Sequence, residues 1–230
     1  VKIQKDMFSN KSIEYLEAYM DLGMFYFFTS EKEEASTVFT RIWTLQSEIK
    51  KNNMKYARLL ERLGSVSMLH GKYDEAESFF INSLRIKEKI INKRNLRGPE
   101  SYFDEMDLAI SYFTMGSFYK AIKLINKAEK YYSKHLRAVK NEIGGNNSLV
   151  YAGALSALAG ISSAKNNYAR AFELTKKAVR IYEKAGITHT NAYLTNLLSM
   201  ADSGMHLGDL ETAKNIAEKL IKNPDFGVKG

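Results

Sequence analysis

The sequence predicts an all-α protein, a right-handed solenoid of about five helix-turn-helix repeats, and three observations carry that expectation. Prolines are scarce, only Pro99 and Pro224 in 230 residues, so little interrupts long helices. A small residue followed twelve positions later by alanine recurs as Gly23/Ala35, Gly64/Ala76, Ala109/Ala121, Ala159/Ala171 and Ala201/Ala213. The residue before each first member is long and apolar: Leu22, Leu63, Leu108, Leu158 and Met200. A constant inner spacing inside units of varying outer spacing marks a helical repeat array rather than one large core.

Each pair marks two antiparallel helices, with the small residue where their backbones approach and bulky neighbours filling the groove to the next repeat. The repeats fall near 12–52, 53–97, 100–141, 148–186 and 189–222, within a single domain over 1–230. In the first, Ser30 and Glu33 have the spacing of a capping box opening the second helix. Gly71, Gly116 and Gly208 are expected in the interhelix turns of three other repeats. Successive second-helix alanines lie 41, 45, 50 and 42 residues apart, and long second helices such as Asp74 to Lys93 and Phe118 to Lys140 absorb the excess. The loosest joints are Asn92–Glu100 and Asn141–Ser148, both too short to separate domains.

Composition narrows the chemistry. With no cysteine, disulfides, thiolate metal sites and cysteine nucleophiles are excluded. The apolar run Leu22 to Phe28 is too short to span a bilayer. Gly144-Gly145 lacks the Lys-Ser/Thr and the preceding strand of a phosphate loop. His70, His135, His189 and His206 have no partner at helical ligand spacing, so no metal or cofactor is expected. Nothing resembles a nucleophile elbow, and the acidic clusters at Glu31–Glu34 and Asp104–Asp107 suit helix first turns. No catalytic residue is assigned, and the chain is expected not to be an enzyme.

The pattern resembles the tetratricopeptide repeat family: an aromatic, Leu-Gly, Tyr, then Ala and Phe at fixed offsets. The first repeat matches throughout with Tyr19, Leu22, Gly23, Tyr26, Ala35 and Phe39. The second keeps Leu63, Gly64, Ala76 and Phe80, with Leu60 and Ser67 at the aromatic sites. The third supplies Leu108, Tyr112 and Ala121, with Ala109 for glycine and Ile125 for phenylalanine, and the last two place Thr175 and Ala217 there. The resemblance covers roughly residues 12–222. Units longer than the usual ~34 residues are similar to those of kinesin light chains and of bacterial sensor and regulator proteins.

The resemblance implies that first helices line a concave groove. Carried over by helical spacing, that groove presents Met20, Met24, Phe27 and Phe28, then Arg58, Glu61, Arg62, Ser65 and Met68, then Phe103, Met106, Ile110 and Phe113, and finally Leu198 and Met205. Methionine with phenylalanine makes an adaptable surface for a peptide or helix, although the same residues would equally serve as interhelix core. In the fourth repeat the face shrinks to Gly153, Ser156, Ala157, Gly160, Ser163 and Ala164, which either floors a pocket or tightens the stack.

Charge is concentrated. Of a formal net +8, the segment Arg85 to Lys140 carries +7, from thirteen Lys/Arg against six Asp/Glu. Lys120, Lys123, Lys127, Lys130, Lys134 and Arg137 step by three or four as one stripe, opposite a buried face of Ala121, Leu124, Ile125, Ala128 and Tyr132. Such a stripe is a solvated convex surface, or it meets an acidic protein, nucleic acid or anionic lipid.

The reading is a non-catalytic interaction scaffold whose partner is a protein or peptide segment. Its alternatives are a sensor or regulatory domain of a larger regulator or peptidase, and a nucleic-acid or membrane-surface binder using the stripe. The start at Val1 and the end at Gly230 favour a fragment. No leader is visible, and the compartment stays open with the cytoplasm favoured.

Overall fold

The computed structural model describes residues 12–46, 48–49, 53–93, 99–142 and 145–221. Ten α-helices form five consecutive pairs among them: α1 (Ile13–Phe28) with α2 (Lys32–Gln46), α3 (Met54–Leu69) with α4 (Tyr73–Lys93), α5 (Pro99–Ala121) with α6 (Ile125–Glu142), α7 (Leu149–Ala164) with α8 (Tyr168–Lys184), and α9 (Asn191–His206) with α10 (Leu210–Ile221). A short 3-10 turn, Gly145–Asn147, precedes α7. There is no strand among the described residues, so the fold class is all-α, a solenoid of about five helix-turn-helix repeats. The chain divides into two compact units, Val1–Arg97 and Gly98–Gly230.

Local chemistry sets the helix ends. Ser12, Asn53, Ser148 and Thr190 cap first helices, each side-chain oxygen accepting from the backbone N–H of a tyrosine three residues on (Tyr15, Tyr56, Tyr151, Tyr193) at 2.8–3.3 Å. All five interhelix turns share one geometry. Ser30, Gly71, Lys123, Asn166 and Gly208 take left-handed φ between 58° and 78°. The next residue's N–H then reaches the carbonyl five residues back, as in Glu31 to Tyr26 at 2.9 Å and Leu124 to Tyr119 at 2.8 Å. This is a Schellman termination. Ser30 therefore occupies the left-handed turn position and does not form the expected capping box with Glu33. Asn167 and Asp209 act as second-helix caps in their own repeats, accepting from Arg170 and Thr212 N–H, each at 3.1 Å.

At the helix crossing a glycine faces an aromatic ring. A Cβ placed on Gly23 would stand 2.5 Å from the Phe39 ring, on Gly64 2.7 Å from Phe80, and on Gly116 2.5 Å from Tyr132. The third crossing is thus Gly116/Ala128, not the expected Ala109/Ala121, and its motif reads Tyr112, Met115, Gly116, Tyr119, Ala128 and Tyr132. Gly116 lies inside α5 rather than in a turn, and Ala121 is exposed. The error is a slip of seven residues, which rotates a helical position by only about 20° and so keeps it on the same face. Ala109 is buried too, one such step earlier.

The corrected register also relocates the extra length. α1, α3, α7 and α9 have 16 residues each, whereas α5 has 23, about two added turns. The expected helix Phe118–Lys140 is instead broken by the turn before Ile125. α4, with 21 residues, is long as expected.

Two buried polar ties repeat one position. Ser83 Oγ donates to Ala57 O at 2.7 Å, and His135 Nδ1–H donates to Ala109 O at 2.8 Å, each from second helix to first. Lys87, fully buried, pairs with Glu61 at 2.7 Å. In the second unit, Glu129 of α6 binds Lys165 (2.7 Å) and Arg170 of the following repeat. These cations, Lys165 foremost, hold its carboxyl below the usual range.

Gly116→Ala, forcing a methyl onto the Tyr132 ring, is expected to cost about 1–3 kcal/mol. Ala121→Leu, at an exposed position, should stay within about 0.5 kcal/mol of the parent. Chemical denaturation of both variants measures the difference, and a larger loss for Ala121→Leu would restore the 109/121 register.

Candidate functional site

First helices carry the expected binding residues, and the two compact units treat them differently. In Val1–Arg97, Met20 is fully buried and belongs to the core with Leu16, Phe39, Ile42, Leu59 and Leu63, which corrects its assignment to an open groove. Met24 and Phe27 pack partly buried against that core, Phe27 lying 6.1 Å from the His70 ring. Phe28 is 75% exposed. Arg62 binds Asp21, and Lys55 binds Glu14 at 3.0 Å, so charges of α3 are spent on α1. Arg58 is exposed and Met68 half-buried. The face here is mainly a charged, ion-paired surface with one projecting ring.

In Gly98–Gly230 the face is apolar and open. Ile110, Leu198 and Met205 are more than half exposed, and Phe113 is 40% exposed. Phe103 is exposed near the start of α5, while Met106 packs against buried Ala109 and Val139. Phe113 is held from beneath, its ring centroid 5.5 Å from Tyr132 and 5.3 Å from His135. On α7 the same helical offsets hold Gly153, Ser156, Ala157 and Gly160. Nothing lies within 4 Å of a Cβ built on Gly153, and the nearest atom to one on Gly160 is Lys120 Nζ at 3.6 Å. A low strip therefore lies on α7, with exposed apolar side chains on α5 and α9.

Two residues outside the expected groove set join this face. Asn196 ties α7 to α9: Ser156 Oγ donates to Asn196 Oδ1 at 2.7 Å, and Asn196 Nδ2 donates to Ala192 O at 2.7 Å. Lys120 belongs to α5 and brings a cation to Gly160. The polar type of Asn196 at a buried helix position was the sequence signal for the first, and the seven-residue slip concealed the second.

The basic stripe is consequently shorter than expected. Lys120 lies on α5 and Lys123 in the turn, leaving Lys127, Lys130, Lys134 and Arg137 on α6. Lys127 Nζ sits 4.8 Å from the centroid of Tyr119, and Lys134 Nζ 4.9 Å from that of Tyr112, so both ammonium groups lie over their own protein's rings. The opposite face buries Ala128, Tyr132, His135 and Val139, whereas Ala121 and Leu124 are exposed.

Among the described residues no cluster of His, Asp and Glu is placed to hold a metal ion. No described helix is long and apolar enough to cross a membrane. His206 stacks on Tyr168 at 3.9 Å. Burial pushes the His135 imidazole below its ordinary pKa, partly opposed by its bond to Ala109 O.

Comparison with known proteins bears on the fold. A tetratricopeptide repeat family model matches residues 152–185, in the fourth helix pair. No curated protein matches by sequence. Among solved structures, BtubC (BKLC) from P. vanneervenii is similar with a TM-score of 0.70 at 15% identity, over 90% of this chain and 78% of that one. A putative kinesin light chain of Podosopora anserina with nearly identical TPR-like repeats gives 0.67 at 16% identity, over 90% and 94%. A Rap protein complexed with Competence and Sporulation Factor gives 0.59 at 15% identity, over 89% of this chain and 52% of that one. This chain spans about half of that Rap protein.

His135 generates a pH dependence of stability. Because its folded pKa lies below the unfolded value of about 6.5, its contribution is present above that pH and drains away as pH falls towards the folded pKa, by at most about 1.4 kcal/mol per unit. His135→Ser, which copies Ser83 at the equivalent position, should remove that component. Denaturation at a series of pH values checks it, and an unchanged difference between the two proteins across that window would contradict it.

Proposed function

Taking the chain as a tetratricopeptide-repeat-like helical-repeat protein, we propose that it is a non-catalytic interaction module and that its second compact unit holds a partner's peptide or helical segment on the faces of α5, α7 and α9. The observation that carries the reading is the exposed apolar set Ile110, Phe113, Leu198 and Met205, together with the low strip at Gly153, Ala157 and Gly160. Apolar side chains at that exposure are costly to leave facing water, and a segment lying along small residues covers them with close backbone approach. Phe113 is the anchor. It has area to bury, and its backing by Tyr132 and His135 means little side-chain freedom is lost on binding. An anchor of this kind can carry about 2 kcal/mol or more.

A regulatory or sensing role within a larger protein is the second reading. It is supported by the likeness in fold to a Rap protein solved with Competence and Sporulation Factor. Lys120 beside Gly160 gives the face one cation, which favours a segment with an acidic residue near its apolar anchor. Nucleic acid or anionic lipid bound through Lys127, Lys130, Lys134 and Arg137 is the competing reading.

A random-peptide library selected on the intact chain supplies a ligand for the test. Leu198→Glu and Phe113→Glu should each weaken the selected peptide by about tenfold or more, about 1.4 kcal/mol, with helix content unchanged by circular dichroism. Fluorescence anisotropy between about 50 and 200 mM salt should show little loss, whereas a stripe neutralising several phosphates would lose about a thousandfold. Steep salt dependence with undiminished Leu198→Glu binding would transfer the function to the basic stripe.

A further inference from the structure

A cleft of about 310 Å³ opens between α8, α9 and α10, in the last two repeats. Its floor is apolar: Val179, Leu197, Met200 and Ile216. Lys176, Arg180 and Lys219 bring three cations to it, against the single carboxylate of Glu183. Glu183 Oε1 is already occupied, accepting from Lys219 Nζ at 2.6 Å and from the Tyr193 hydroxyl at 3.1 Å. Lys219 and Glu183 thus cancel. Lys176 and Arg180, four residues apart on α8, stand side by side. The Arg180 guanidinium has no hydrogen-bond or ion-pair partner among the described residues. Lys176 lies 5.6 Å over the Phe172 ring and in the field of Asp209, but donates to neither. The lining is therefore greasy below and doubly positive at one edge, with no acidic side chain of the cleft left to match it.

We propose that this cleft binds a small amphipathic carboxylate, with its apolar body on Val179, Leu197, Met200 and Ile216 and its anion between Lys176 and Arg180. The volume suits the ligand. About 310 Å³ lies at the lower end of the range of small-molecule clefts, which suits a short-chain carboxylate. Charge complementarity sets the sign: an amine of the same length would meet two cations with no carboxylate of the cleft left to offset them, and an alcohol would bring no negative charge to either. The site stands apart from the partner face, since Leu197 and Met200 flank the exposed Leu198 on another side of α9, and its test is independent of peptide binding.

Octanoate, kept below its micelle-forming range, is the probe, with 1-octanol and octylamine as its uncharged and cationic counterparts. Titration of the full chain by ligand-observed NMR should give saturable octanoate binding, about tenfold or more weaker binding of 1-octanol, and none of octylamine. Lys176→Gln combined with Arg180→Gln should abolish octanoate binding, since the pair removes both cations without setting a new negative charge beside Asp209. Met200→Trp, which fills the floor, should abolish it by a route that leaves the charges in place. Absence of saturable octanoate binding, equal binding of 1-octanol, or undiminished octanoate binding in either variant would overturn the proposal.

Discussion

The constraint on which the rest depends is the volume available where the two helices of a repeat cross. Glycine meets a full aromatic ring in three repeats, Gly23 with Phe39, Gly64 with Phe80 and Gly116 with Tyr132. Where the first-helix residue grows to Ala159 or Ala201, the equivalent second-helix residue shrinks to Thr175 or Ala217. The last two repeats thus exchange a ring on the second helix for a methyl on the first, and the small first-helix residue is kept in all five. From the crossing the turn follows at a fixed distance. The left-handed residue comes seven positions after the small one in every repeat, although only two of the five are glycine. Ser30, Lys123 and Asn166 accept an unfavourable backbone region because the packed helices on either side over-determine it.

Given that crossing, the remaining polar groups find their partners by repetition. Ser83 and His135 reach the same carbonyl position from the same helical offset, one with a hydroxyl and one with an imidazole. A shared scaffold thereby holds two different chemistries, and only the histidine adds a proton equilibrium to the core. Ion pairs between repeats, Lys55 with Glu14 and the Glu129 cluster, are surface ties. They contribute less to stability than the buried crossings do.

The same offsets show which first-helix positions are sealed and which are open. A first-helix position three before the crossing holds Met20 in α1, Phe113 in α5 and Leu198 in α9. It is sealed in the first case and open in the other two. The neighbouring first helix differs between the two cases: Met20 shares its core with Leu59 and Leu63 of α3, whereas α7 presents small residues and leaves its face low. An exposed apolar surface thus arises where the repeat gives up side-chain volume.

By itself the sequence determined the helical class, the number of repeats and two of the five turns, at Gly71 and Gly208, because each rests on local rules: few prolines, a constant spacing of twelve, and glycine where the chain reverses. It also identified Ile110, Phe113, Leu198 and Met205 as first-helix residues of one face. Tertiary structure decided what periodicity cannot. A slip of seven residues keeps a helical face, so Ala109 and Gly116 were equivalent until the Tyr132 ring chose between them. Exposure of Phe113 and burial of Met20 likewise depend on a neighbouring helix, not on the helix that carries them. The cleft of Lys176, Arg180, Met200 and Ile216 joins residues from three helices, and no local pattern records which helices will meet. Spacing along one helix fixes direction around its axis, and only packing fixes what stands opposite.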